Sequence, residues 1–506
     1  MDIGNLVKIL ILLVYFGVMI GIGLYCRKSS KDVNGFVLGG RSVGPWLTAF
    51  AYGTSYFSAV VFVGYAGQFG WKYGIAATWA GIGNAIIGSL LAWVILGKRT
   101  RVMTQHLDSA TMPQFFGKRF NSSALKIGAS AIIFIFLIPY TASLYNGLSR
   151  LFGMAFDIDY SVCIIIMAVL TAIYVIAGGY MATAINDFIQ GIIMLVGIVL
   201  VIIAVLKSQG GLTEAVMKMG EVVNENTGTT GDFASIFGPD PLNLMFVVIL
   251  TSLGTWGLPQ MVQKFYAIKD ERAIKKGTII STLFALVVAG GCYFLGGFGR
   301  LFSDQIDIAA NGYDSVIPTM LQNLSPIMIT LVVVLVLSAS MSTLSSLVIA
   351  SSSTLTIDFL KGGIVKKMDD KKQVLVIRIF IVVFIAISAI LALVQYKSSV
   401  TFIAQLMGIS WGALAGAFLA PFMYSLYGKW VTKTACWVNF IFAVVLMVAN
   451  IFFRDFFPAI LKSPINCGAI AMLAGFIIVP VVSSFTKKVD GETVERAFSC
   501  FAPKTK

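Results

Sequence analysis

The chain has 506 residues, 58% of them hydrophobic and 12% charged, with a mean hydropathy of +0.89. Apolar runs recur from end to end with no long polar domain between them, which excludes a water-soluble enzyme and points to an all-α polytopic membrane protein. The formal charge of +14 falls in alternate loops, the placement expected of cytoplasmic loops rather than of a nucleic-acid-binding surface.

The first apolar run, Leu6 to Cys26, is about 20 residues long, enough to cross a bilayer. Arg27 and Lys28 follow it instead of a small-residue cleavage site, so residues 6–26 are expected to stay as a helix. Windows of roughly 19 residues give about thirteen spans in all. Basic residues follow the odd-numbered spans: Lys31 and Arg41, then Arg99, Arg101, Lys118 and Arg119, then Lys264 and Lys269, then Lys361, Lys366 and Lys367, then Lys487 and Lys488. Acids fill the other loops, among them Asp157, Asp159, Glu221, Glu225, Asp240 and Asp314. The positive-inside rule then puts the N-terminus outside and the C-terminus inside.

Span two contains "YGTSYFSA", a stretch poor in aliphatics at a depth where a regular helix is expected. Span seven is interrupted by Gly254, Gly257 and Pro259, and a proline removes a backbone donor and clashes with the preceding turn. Glycine and proline are common in membrane helices, so either span alone fits an ordinary kink. Their placement five spans apart makes them the opening members of two halves, residues 43–206 and 242–427, and matched broken helices point to a site at the midplane. Helix 6–26 and the two spans in 433–485 flank that core, and 486–506 is a cytoplasmic tail. The polar loop from Lys207 to Asp240 is expected to form a short helix and coil outside the membrane.

Few ionisable residues lie inside the spans, and each costs about 2.5–3.5 kcal/mol at a helix centre. Asp187 in span six fits either an interfacial acid near a helix N-terminus or a cation or proton site. In span nine, Ser342, Ser345 and Ser346 share one helical face, with Thr343 beside it and Ala339 a turn earlier. Such hydroxyls serve close helix packing in many membrane helices; here their density also suits a hard cation, which prefers oxygen ligands. The carbonyls freed by a break in span two would complete an oxygen cage. Six scattered cysteines and a single histidine, His106 in a loop, suggest no disulfide framework, metal cluster or nucleophile.

These stretches resemble the sodium:solute symporter family, whose members include sodium/proline, sodium/pantothenate, sialic acid and sodium/glucose transporters. The resemblance is carried by "GGRSVGPWLTAFAYGTSYFSAVVFVGYAG" at 39–67, "YVIAGGYMATAINDFIQG" at 174–191, "GLPQMVQKFYAIKD" at 257–270 and "SASMSTLSSLVIASSSTLTIDF" at 338–359. It implies a leucine-transporter-type fold with two inverted five-helix repeats and alternating access driven by Na⁺, without a cofactor. Matched motif to motif, the principal sodium site falls on the carbonyls of Thr54, Phe57 and Ala339 and the hydroxyls of Ser342 and Thr343. A second site described for some members falls on Asp187, Ser342, Ser345 and Ser346.

The implied cargo is a small organic solute. Proline transporters of the family carry an acid where this chain has Tyr56 and an aromatic pair where it has Thr251 and Thr255, whereas "GLP" at 257–259 and "KYG" at 72–74 look closer to the pantothenate-type branch. No Arg or Lys stands out mid-span in spans two, three, four or seven, so half-helix N-termini are expected to meet a carboxylate. Ser58, Asn84, Tyr140, Trp256 and Gln260 are the candidates for the solute pocket. The expected location is the cell membrane, a bacterial inner membrane. A proton-coupled carrier using Asp187 is the alternative; a membrane enzyme or a channel has no motif to support it, and nothing specifies an oligomeric state.

Overall fold

A computed structural model describes residues 3–156, 159–365, 368–398 and 403–502. Asp157, Lys366 and Lys367 of the expected loops, and 503–506 of the tail, lie outside the described residues. Among those described the chain is helical, with two isolated β-bridges, Val43 to Ile268 and Val223 to Thr230, and no strand.

Helix α1 is Ile3–Tyr25. The second span is broken: α2 (Pro45–Thr54) starts on a proline in its first turn, where the missing donor costs nothing. Residues 55–58 then leave the helix, which resumes at Ala59, and a widened turn over Val60–Tyr65 leads into α3 (Ala66–Tyr73). Gly74, at φ +59°, turns the chain into α4 (Thr78–Gly83), which continues through π-type turns to α5 (Lys98–His106). Helix α6 (Met112–Phe120), largely buried, is capped by the Thr111 hydroxyl, and α7 (Ser123–Phe156) and α8 (Tyr160–Ser208) follow. Within α8, Gly179 sits at φ +57°, ψ −154°.

The seventh span is broken as well. Its halves, α9 (Pro241–Gly257) and α10 (Pro259–Ala267), meet at 46° across an extended Leu258. Asp240 caps α9 by accepting from the Asn243 amide at 3.1 Å, and Pro259 opens α10. Next come α11 (Glu271–Gly296), α12 (Pro326–Thr354), α13 (Asp370–Ser398), α14 (Ile403–Tyr427), α15 (Lys433–Phe452) and α16 (Pro464–Phe485). The loop from Lys207 to Asp240 holds a helix, Leu212–Glu221, and a capped coil.

Among the described residues, ten helices are long and apolar enough to cross a membrane, or eleven with the bent pair α9 and α10. The count differs from the expected thirteen because two of these are very long: Val60–His106 has 47 residues and Tyr160–Ser208 has 49. Neither is one straight rod, because Gly74 and Gly179 leave helical φ/ψ inside them, and 47 or 49 residues exceed the roughly 20 that a single crossing needs.

Close packing rests on small residues. A Cβ placed on Gly70 of α3 would lie 1.9 Å from the Gly296 carbonyl of α11, and one on Gly296 would lie 2.1 Å from the Ala66 carbonyl. At the next crossing, a Cβ on Gly81 would meet Gly290 at 2.5 Å. Side chains are thus excluded where α11 crosses α3 and α4.

The loops sort into two ends. At one, the Arg41 guanidinium donates to the Ser109 carbonyl at 2.6 Å and the Tyr266 carbonyl at 3.2 Å, and Arg101 donates to the carbonyls of Ile268 and of Lys269. The tail joins this end: α17 (Gly491–Phe498) brings the Arg496 carbonyl 2.7 Å from His106 Nε2 and the Phe498 ring 4.8 Å from the buried Arg119 guanidinium. At the other end Arg300 pairs with Glu225 at 3.2 Å, and the Asn466 amide donates to Asn243 Oδ1 at 2.5 Å.

Candidate functional site

The break between α2 and Val60 lies against the middle of α12. Thr343 Oγ1 is 3.0 Å from the carbonyl oxygens of Thr54, Phe57 and Ala339. Ser342 Oγ is 3.1 Å from the Thr54 carbonyl and 3.0 Å from that of Ala339. All five residues assigned to the principal ion site are therefore brought together, and all are buried. Ser342 and Thr343 are adjacent on α12 and Ala339 lies one turn earlier, so a single helix supplies three oxygens; only the unwound link supplies the other two.

The arrangement is short of protons. Each hydroxyl donates one hydrogen bond, yet Thr343 faces three acceptor carbonyls and Ser342 faces two. Two donors satisfy the Thr54 and Phe57 carbonyls once each, and Ala339 lies within the α12 ladder, so what remains is five buried oxygens whose spare lone pairs face one another, a set that a cation can share. An all-oxygen set suits a hard ion.

Further along α12, Ser346 Oγ is 2.8 Å from Ser55 Oγ and accepts from Lys264 Nζ at 3.0 Å. Lys264 lies in α10 and is buried, with Nζ 3.9 Å from Asp187 Oδ2. The sequence reading counted Lys264 as a cytoplasmic loop cation and found no cation within span seven. The structure corrects this, because α10 resumes at Pro259 and carries the chain a further turn and a half through the bundle. A lysine five residues beyond a helix-breaking proline was the available signal. Neither carboxylate oxygen of Asp187 has a hydrogen-bond partner, and Ser345 Oγ donates to the Ser342 carbonyl at 2.9 Å.

The solute candidates divide. Trp256 Nε1 donates to the Ile87 carbonyl at 2.9 Å, Asn84 Oδ1 accepts from Ser252 at 3.3 Å, and Ser58 Oγ accepts from the Val60 amide at 3.2 Å, so these three help hold the broken helices. Gln260 is buried in the first turn of α10 with both amide atoms unpartnered, and the buried Tyr140 hydroxyl faces Ser58 and Trp411. The Tyr140 ring packs edge-on to Trp411 of α14 at 5.9 Å, and a Cβ on Gly254 would lie 2.4 Å from that indole. Trp411 was missed from sequence, as were the buried, unpartnered hydroxyls of Tyr56 and Tyr65. An open cavity of about 1170 Å³, lined by Lys72, Asp240, Asn243 and Arg300, lies at the Glu225 end. None of the five residues of the oxygen cluster lines it.

A bundle of apolar helices, two of them interrupted and one of these breaks facing a buried oxygen cluster, defines an ion-coupled membrane transporter. The model of the sodium:solute symporter family matches residues 36–442, and the chain belongs to that family. It is a sodium-coupled symporter of small organic solutes and a multi-pass membrane protein. Among curated relatives, the sodium/proline symporter of Staphylococcus aureus is 31% identical over 499 residues, covering 94% of this chain and 92% of that protein. The osmoregulated proline transporter OpuE of Bacillus subtilis is 29% identical over 420 residues, covering 82% and 83%. The fold is shared with a Na⁺-coupled sialic acid symporter solved in a substrate-bound, outward-open state, at a TM-score of 0.76, 17% identity and coverage of 96% and 98%.

Proposed function

We propose that this symporter takes up a small organic carboxylate, amino acids included, with Na⁺ held by the carbonyls of Thr54, Phe57 and Ala339 and the hydroxyls of Ser342 and Thr343. The observation that carries this reading is the proton-poor cluster of five buried oxygens at the break in span two. A membrane potential contributes about 2.3 kcal/mol per entering charge per 100 mV. Gln260, whose buried amide atoms lack partners, and Tyr140, whose ring packs on Trp411, are the polar groups assigned to the solute.

The relatives favour proline as a second reading. Against it stand Thr251 and Thr255, where proline carriers of the family have aromatic rings. Thr255 Oγ1 instead lies 2.9 Å from the Gly88 carbonyl and offers no apolar plate for a pyrrolidine ring. Proteoliposomes with an imposed Na⁺ gradient, offered labelled proline, pantothenate and other carboxylates in turn, separate the two. Uptake of one of these that collapses when choline replaces Na⁺ at fixed pH is expected; uptake that survives would make the carrier proton-coupled.

The reading includes thirteen crossings with the N-terminus outside and the C-terminus inside. The two overlong helices divide naturally at Gly74 and Gly179, and the loops rich in Lys and Arg gather at one end. Residues 43–206 and 242–427 then form inverted repeats, each opening on a broken helix, flanked by 6–26, 433–485 and the cytoplasmic tail 486–506. The assigned location is the plasma membrane, with Na⁺ as the coupling ion, no cofactor and no enzymatic step.

A further inference from the structure

The group assigned by resemblance to a second Na⁺, Asp187 with Ser342, Ser345 and Ser346, already contains a cation. Lys264 Nζ donates to Ser346 Oγ at 3.0 Å, stands 3.9 Å from Asp187 Oδ2, and lies 5.0 Å from the centre of the Tyr180 ring. Lysine and aspartate are 2% and 0% exposed, and this is the only ion pair either makes among the described residues. Ser345 has its proton engaged within α12, and the Asp187 carboxylate accepts no hydrogen bond. An acid, a hydroxyl and an aromatic face thus converge on one ammonium, three features that recognise a cation.

We infer that Lys264 is the built-in second cation of this transporter, filling the Asp187 and Ser346 pocket so that a single Na⁺, at Ser342 and Thr343, is bound. The inference rests on the sodium-coupled reading above. Asp187 and Lys264 together are neutral. A Na⁺ entering beside them would bring an uncompensated charge next to the ammonium in a buried pocket, which is unfavourable. Placing this cation on α10, the inner half of a broken helix, ties the Asp187 side of the bundle to the half-helix that follows Gln260.

The test is equilibrium binding of radiolabelled Na⁺ to the purified full-length chain. The wild type is expected to bind a single ion without cooperativity, and Thr343→Ala to lose it. Lys264→Met, which leaves Asp187 uncompensated, is expected to gain a second saturable ion, and Asp187→Asn with Lys264→Met to return to one. Two ions on the wild type, no gain in Lys264→Met, or a second ion persisting in the double variant would each overturn the inference while leaving sodium coupling intact. Absence of saturable Na⁺ binding by the wild type would instead overturn the sodium site itself. If Lys264→Met does not fold, Lys264→Gln, which removes the charge and keeps a polar group toward Ser346, is read in the same way: a second ion supports the inference and its absence overturns it.

Discussion

Thr343 is the residue on which the ion site turns, since its hydroxyl reaches three carbonyls at once. Thr343→Ala is expected to raise the Na⁺ concentration for half-maximal uptake by about tenfold, equivalent to ~1.4 kcal/mol, while Thr343→Ser keeps most of the affinity. An unchanged Na⁺ dependence of the alanine variant in flux assays would remove Thr343 from the site. The pair Asp187 and Lys264 makes a stability prediction of its own. Neutralising one partner strands a buried charge at a cost of about 3–5 kcal/mol, so either single change lowers the unfolding temperature in Na⁺-free buffer, and the double change recovers most of the loss. A double variant as unstable as the sum of the singles would show that the two charges do not interact. At this scale the hydroxyls were legible, because spacing of three and four residues puts them on one face of a helix. Lys264 was not, because charge after a proline reads equally well as the start of a loop. Trp411 was hidden in an otherwise ordinary apolar span.

Helix breaks were partly legible. "YGTSYFSA" marks the interruption of span two, and the helix does end at Thr54 and resume at Ala59. Pro259 marks the other, one residue after the extended Leu258. The joins near Gly74 and Gly179 were legible as boundaries between spans, which the thirteen-span reading already separates; that each passes through a glycine at positive φ was not. Gly179 combines a positive φ with a crowded Cβ position, 2.9 Å from the Phe36 carbonyl. Gly179→Ala is expected to cost about 1–3 kcal/mol, read as a lower unfolding temperature of the purified protein. Gly17, with nothing near its Cβ position, serves as the control, and Gly17→Ala is expected to unfold at or above the wild-type temperature. Equal behaviour of the two variants would mean that the Gly179 kink is not needed.

The whole molecule was legible as a membrane transporter from composition and loop charge, and its family from four motifs; the cargo was not, because solute recognition depends on which buried polar atoms are left without partners. The two ends of the bundle can be assigned experimentally. On a background without native cysteines, Lys31→Cys and Glu221→Cys both place a thiol at an exposed position. An impermeant maleimide applied to intact cells is expected to label the second alone, and the first after permeabilisation. The reverse pattern would invert the topology. The contact of Gly70 with Gly296, and of Gly81 with Gly290, adds a different consequence. Backbone against backbone, with no side chain between, leaves no room for one helix to slide over the other, so α3, α4 and α11 travel as one piece. Paired spin labels on the outward faces of that piece, at Trp79 and Leu286, both exposed, therefore form a fixed ruler inside a working machine, a length that stays constant while every other distance in the transport cycle is measured against it.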